Sequence, residues 1–384
     1  MHILFSACDY PRPGAPFTAF VSEIVEEMAR QGHKITVVAP QSITSSLRHK
    51  KAFVSRDYYY EVKDKDRNVK IRVLRPLSLT FGYGKLLKLS RLIDRIVVMR
   101  AVSKLSYKFD VVYSHFWTSA FNIMPFVQKN KIPFFVATGE DVINITKWSG
   151  KKFVRQTNEF VKGVICVSTK NKIESVTLGL INEEKCRVFP NSINPDKFYP
   201  IDKITVRNKF GFSNDTFIVA FCGRFNYRKG VMRLNEALKS LGNENIKLIL
   251  IGSLVENETL IPDYSGIIHI GQVPHDLIVG YLNCADVFVL PTLAEGCSNS
   301  IVEAMGCGLP IISSDLPFNY DILDNGNAIL IDPLNIDELK NAILKIYQDK
   351  EMQNKMSSNS YIKAQNLRID NRVKRIIDFI KELM

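Results

Sequence analysis

The chain has 384 residues, 46% hydrophobic and 23% charged, enough for ordinary buried cores and, by length, for two domains. No apolar run approaches the roughly 18 residues of a membrane-spanning helix, and MHILFSACDY lacks the basic start, long apolar run and small-residue cleavage site of an export signal, so none is expected. The net charge of +12 is uneven: residues 1–200 hold 32 Lys and Arg against 17 Asp and Glu, whereas the rest is slightly acidic, so an anionic surface (membrane or nucleic acid) is a candidate partner of the first half.

In chain order, HILFSA reads as a strand. FTAFVSEIVEEMARQG follows as a helix stopped by Gly32, and HKITVVAP as the next strand. DVVYSHF, FFVAT and GVICVS continue the rhythm. It restarts from about residue 215 with TFIVAFCG, KLILIG, IIHIG, DVFVLP and PIISS. Short apolar strands alternating with helices predict parallel sheets covered on both faces, and two such series predict two domains. FPNSINPDKFYPIDK, with three prolines and no apolar periodicity, marks the boundary. The expected division is 1–195, 196–365 and a terminal helix in 366–384 that packs back on the first domain.

Tyr83 to Arg100 reads as an amphipathic helix. Lys88, Arg91 and Arg95 share one face, and Leu86, Leu89, Ile93, Ile96 and Val97 the opposite one. Such a helix can lie on an anionic membrane or cover a sheet with its charges in water. The seven cysteines form no C-x-x-C pair, and the six histidines show no ligand-like spacing. This predicts reduced thiols, a cytoplasmic setting and no structural metal. Asp64 to Asp66 has a D-x-D form, but VKDKDRNVK reads as a polar turn between strands.

Chemistry concentrates in the second half. In FCGRFNYRKGVMRLNEAL a strand ends at Gly223, and Arg224, Lys229 and a helix start follow, an arrangement suited to a diphosphate. In AEGCSNSIVEAMGCGLP, Ser298, Asn299 and Ser300 are good cap residues, and Gly296 lets the backbone approach a ligand. Glu303 lies one turn into the helix, in reach of a ribose, and Glu295 can accept bonds from a sugar. A capped helix with one solvated acid explains the serines but not an acid within IVEAMGCGLP, since a buried carboxylate needs partners.

Glu295 and Glu303, with seven residues between them, resemble the E-x(7)-E motif of family 4 glycosyltransferases, retaining enzymes of the GT-B fold. CGRFNYRKG is similar to that family's phosphate-binding segment. HILFSACDYPRPG, DVVYSHFW, VFPNSINPDKFYP and GQVPHDLIVGYLNCADVFVLPTLAEG match further pieces in order. The resemblance implies two Rossmann-like doubly wound domains facing a central cleft. It implies a nucleotide-sugar donor, expected to be UDP-linked, and a saccharide or lipid-linked acceptor in cell-surface polysaccharide synthesis. Arg224 and Lys229 would neutralise the departing diphosphate, and Glu303 would hold the ribose. Glu295 and the backbone from Gly296 through Cys297 and Ser298 to Asn299 would hold the sugar. Gly14 would let the first domain approach the phosphates, and Gly223 would border them. No metal or cofactor is implied.

Two departures from the family pattern stand out. PGAPF lacks the usual pair of adjacent glycines, and ATGED places Thr138 where a histidine is common, with Gly139 and Asp141 matching. Thr138, Glu140, Asp141 or His115 would then serve the acceptor, although His115 reads equally as a core histidine. A cytoplasmic enzyme peripheral to the inner face of the plasma membrane fits this reading. The rivals are a non-catalytic GT-B-shaped nucleotide-sugar or membrane binder and a nucleic-acid binder, for which no aromatic-interleaved basic motif exists. A dehydrogenase lacks its G-x-G-x-x-G after the first strand.

Overall fold

The computed structural model describes residues 1–12, 19–48, 50, 52–64, 67–81, 85–253 and 261–384. Two compact units emerge: Met1–Phe189 with Arg372–Met384, and Pro190–Asn371. The first is built on strands β1 (His2–Ala7), β2 (Lys34–Val38), β4 (Asp57–Asp64), β5 (Arg67–Leu74), β7 (Val111–His115), β8 (Phe134–Thr138), β9 (Val161–Cys166) and β10 (Cys186–Val188). A separate short parallel pair joins β3 (Gln41–Ser42) to β6 (Leu77–Ser78). The large sheet runs β10-β9-β8-β7-β1-β2-β5-β4. All its pairings are parallel except β4 with β5. The inner strands β7 and β8 are buried throughout, as continuous apolar runs covered on both faces must be. The edge strand β4 instead alternates between exposed positions and half-buried or, at Val62, buried ones. At its turn Asp64 pairs with Arg67 at 2.7 Å; Lys65 and Asp66 of the D-x-D lie outside the described residues, as does Gly14.

The second unit holds β11 (Phe217–Cys222), β12 (Ile246–Ile251), β13 (Ile267–Gly271), β14 (Val287–Leu290), β15 (Ile311–Ser314) and β16 (Ala328–Ile331), ordered β13-β12-β11-β14-β15-β16. Every pairing is parallel. The chain lays down β11, β12 and β13 outward, then returns to the other side of β11 with β14. Strand order therefore reverses between β11 and β14, and in the first unit between β1 and β7. Crevices outside the carboxyl ends of strands at such reversals are where open α/β sheets take ligands.

The chain crosses between units at Phe189–Pro190 and Asn371–Arg372, where the sequence placed the changes at 195 and 365. Backbone pairing explains the earlier crossing. Ile193 N–H donates to Leu367 O and Ile369 N–H to Ile193 O, both at 2.9 Å, so the proline-rich segment is stitched into the second unit. The terminal helix Ile369–Leu383 lays Phe379 against Phe135 and Phe189 of the first unit, at 6.1 and 5.7 Å between rings. Gly163 makes room for it, because a Cβ there would meet Phe379 at 2.9 Å.

The helix Lys85–Ser103 corrects the amphipathic reading. Its buried side is Ser90, Asp94, Val98 and Val102. Arg95 lies over the Phe121 ring at 4.6 Å, while Arg91 pairs with Asp94 at 3.6 Å and lies over Trp148 at 6.0 Å. Two of the three basic residues thus turn against the body, and the leucines face outward. Inward polar groups are tolerated because they are partnered: Ser78 donates to Asp94, and Phe81 N–H donates to Ser90 Oγ at 2.7 Å.

Candidate functional site

Two loops meet at the reversal between β11 and β14. After β11, Gly223 N–H still pairs with Ile251 O, and Phe225 N–H with Ser253 O. Arg224 is carried between them, exposed and with no ion pair among the described residues. A tight turn follows, in which Asn226 Oδ1 accepts from Lys229 N–H at 2.9 Å. Gly230 then opens the helix Val231–Leu241 at φ 80°, with Pro291 so close that any Cβ would collide with it. Only glycine meets both demands.

The loop after β14 is fastened to this turn. Leu293 N–H donates to Arg228 O at 2.9 Å, Arg233 reaches Pro291 O at 2.7 Å, and Arg228 donates to Ala294 O. At the junction lies Glu295, buried at 6% exposure. One of its oxygens, Oε1, accepts from Lys229 Nζ at 2.5 Å, Thr292 Oγ1 at 2.9 Å and Arg228 Nη1 at 3.1 Å. A buried carboxylate with three donors is fully compensated, which answers why an acid sits among small residues.

The helix Asn299–Gly306 leads away from this junction. Ser298 occupies its N-cap position but makes no side-chain cap bond; its hydroxyl turns instead to Ser300 at 3.0 Å. The expected side-chain cap is therefore absent. Cys297 is buried, and its carbonyl accepts from Asn191 Nδ2 at 2.8 Å. Glu303 lies 3.5 Å from His275 Nε2. The Cys222 thiol, at the end of β11, ties both halves together electrostatically. Burial, then the charge of Glu303, pushes it up to about 12 against the opposing charge of Lys229. Lys229, Glu295 and Glu303 thus surround one strand end, beside Gly223 and Gly296.

The first-unit candidates sit at the corresponding reversal or on the strand beside it. His115 ends β7, 4.3 Å from the Phe116 ring and 5.7 Å from Phe20. Neither of its ring nitrogens has a partner among the described residues. Burial, then the charge of Arg372, lowers its pKa to about 3. Next to it Phe116 holds φ 69° and ψ 154°, a region that costs a side chain on the order of 1–3 kcal/mol and collects at functional sites. Thr138 and Glu140 are occupied with each other. Thr138 donates to Glu140 Oε2 at 2.6 Å, Gly139 N–H donates to the same oxygen at 3.0 Å, and Trp117 N–H to Oε1 at 2.9 Å. Glu140 thereby caps the helix Trp117–Asn130 while burial holds its carboxyl above the ordinary range. Asp141 offers its carbonyl to Lys170 at 2.5 Å.

An NMR titration is expected to show the His115 ring unchanged through its ordinary value of 6.5. The folded value is depressed, so the unfolded chain binds the extra proton. Stability is therefore lost as pH falls from 6.5 towards about 3. A ring titrating near 6.5 would contradict this burial.

Sequence reading missed Arg228, Thr292, Asn191 and His275. Arg228 had a signal, being the middle of a basic YRKG run; Thr292, Asn191 and His275 had none, because their partners lie 3, 106 and 28 positions away.

Comparison with known proteins gives the family. Residues 18–197 match Glycosyltransferase Family 4, and residues 202–363 match Glycosyl transferases group 1. The chain belongs to the group 1 glycosyltransferases of the GT-B fold. TuaC of Bacillus subtilis, whose name places it in teichuronic acid biosynthesis, is 26% identical over 358 residues, covering 90% of this chain and 89% of its own. The Escherichia coli UDP-Gal:alpha-D-GlcNAc-diphosphoundecaprenol alpha-1,3-galactosyltransferase is 30% identical over 232 residues, which span 57% of this chain and 59% of that enzyme. Among solved structures, sucrose-phosphate synthase from Thermosynechococcus elongatus superimposes with a TM-score of 0.81 at 17% identity, over 100% of this chain and 99% of that one.

Proposed function

We propose that this glycosyltransferase moves a hexose from a UDP-sugar to a saccharide or lipid-linked acceptor in the synthesis of a cell-surface polysaccharide, working at the membrane surface, with retention of anomeric configuration. The ion pair between Lys229 and Glu295 is the observation that carries the reading, because it joins the loops after β11 and β14 where strand order reverses. The names of TuaC and the Escherichia coli galactosyltransferase support the substrate classes. No helix of the described residues is long and apolar enough to cross a membrane.

Breaking the anomeric carbon–oxygen bond leaves its electron pair on the diphosphate and positive charge on the sugar. Arg224 and Lys229 face the diphosphate and neutralise it as it departs. Glu303 takes the ribose hydroxyls. Glu295, held by Lys229, Thr292 and Arg228, accepts from the sugar hydroxyls, and the amides from Gly296 to Asn299 complete the cradle. The acceptor hydroxyl attacks the face the diphosphate leaves and gives its proton to a phosphate oxygen. His115, Thr138 and Asp141 line the acceptor side, with Glu140 holding Thr138 in place.

A thermal-shift screen against UDP-, GDP- and ADP-sugars tests the donor. Binding to the folded state at 100 times Kd raises stability by about 2.7 kcal/mol, and Arg224→Ala is expected to shrink that shift. Equal shifts with all three nucleotides, or none with UDP-sugars, would remove the uridine assignment.

A further inference from the structure

Most long helices on such a unit hide their apolar side, yet Lys85–Ser103 exposes it. Leu86 is 55% exposed, Leu89 and Leu92 each 48%, and Ile96 51%. At about 100° per residue these four share one face, with half-buried Ile93 among them. The exposed basic residues Lys88 and Arg100 flank and end the stripe, and exposed Lys104 follows it. Arg91 and Arg95 cannot solvate it, because they are stacked inward on Trp148 and Phe121. A fourth exposed leucine adjoins: Leu47, at 67%, lies beside Arg48 on the helix Ile43–Arg48. That helix is held to the same corner, since Thr44 Oγ1 donates to Thr80 O at 2.5 Å and Phe81 N–H donates to Ser90 Oγ.

We infer that the outward face of Leu86, Leu89, Leu92 and Ile96 is a docking surface for an anionic lipid bilayer. An apolar stripe bordered by long cations is the pattern of a helix lying in the interface, its apolar side among acyl chains and its basic heads reaching phosphates. The +15 balance of residues 1–200 supplies the complementary charge. A protein partner would be expected to cover such leucines with its own apolar residues, and the bordering Lys88, Arg100 and Lys104 argue for phosphate instead. The inference deepens the proposed membrane-surface activity, but its evidence is independent of the donor site.

Co-sedimentation of the full chain with vesicles of phosphatidylglycerol and phosphatidylcholine tests it, without donor or acceptor. The wild type is expected to bind, more weakly at high salt and with little binding to phosphatidylcholine alone. Leu89→Glu with Ile96→Glu is expected to cut binding tenfold or more, and Lys88→Glu with Arg100→Glu to remove the preference for phosphatidylglycerol. Both variants change exposed residues, so their melting temperature and nucleotide thermal shift stay at wild-type values. Those two readouts separate a failure of this surface from a failure of the donor assignment. Unchanged sedimentation of the leucine variant overturns the inference. So does a wild-type dimer in light scattering that the same variant dissolves, because the face is then an interface between copies.

Discussion

Lys229→Ala is expected to lower turnover by about 10²–10³-fold, while nucleotide binding changes far less. In the proposed reaction the ammonium stands where charge develops, so its stabilisation would belong to the transition state more than to the ground state. Structure alone cannot account for such a loss. After the substitution Glu295 keeps Arg228 at 3.1 Å and Thr292 at 2.9 Å, and the carboxylate is not left bare. Melting temperature is therefore expected to move little. Steady-state kinetics beside a nucleotide thermal shift separate the two effects. A fall in turnover below about threefold, or a loss traced wholly to unfolding, would take Lys229 out of the chemistry.

Asp286→Ala gives the largest expected loss of stability. Asp286, 6% exposed, closes the second unit at the start of β14. Its carboxylate takes Arg207 Nη2 at 2.6 Å, Lys203 Nζ at 2.7 Å and Ile218 N–H at 2.8 Å. Removing it leaves the Arg207 guanidinium, itself 3% exposed, without its counter-charge, held only by neutral carbonyls such as Cys284 O at 2.9 Å and Thr216 O at 3.0 Å. Breaking a buried pair in this way costs about 3–5 kcal/mol, on the order of ten degrees of melting temperature for a unit this size. Burial pushes the Asp286 carboxyl up, but Lys203, Ile218 N–H and Arg207 outweigh it, and the net folded value lies below the ordinary 3.8. The stabilisation is thus complete above 3.8 and disappears as pH falls through the depressed value. Calorimetry of the variant, with Asp286→Asn beside it, checks both; a drop of under two degrees would show that Arg207 finds other partners.

Much of this was readable from the chain. The apolar runs marked most sheet strands, because buried parallel strands need apolar residues on both faces. β10 and β16 were missed: CRV and AILI are short, and neither is buried throughout. The two glutamates and the lysine were legible as candidates because spacing fixed their distance from a strand end. The bonds around Glu295 were not: Arg228 reaches it only after two loops are stitched together, and Thr292, three positions earlier on the same loop, carries no mark of its own. The helix Lys85–Ser103 shows the sharper limit. Periodicity separates two faces but does not say which side the body occupies. Here the inward face carries Ser90 and Asp94, whose partners include Phe81 and Ser78 from elsewhere in the chain.

The double crossing of the chain has a practical consequence for dissecting the protein. Pro190–Asn371 is one uninterrupted stretch, and a single excision could release it. The other unit is assembled from two separate stretches, Met1–Phe189 and Arg372–Met384. A fragment stopped at Phe189 would forfeit Phe379 and leave the hollow beside Gly163, Phe135 and Phe189 open to water. During synthesis, too, that hollow stays unsealed until Arg372–Met384 has been made.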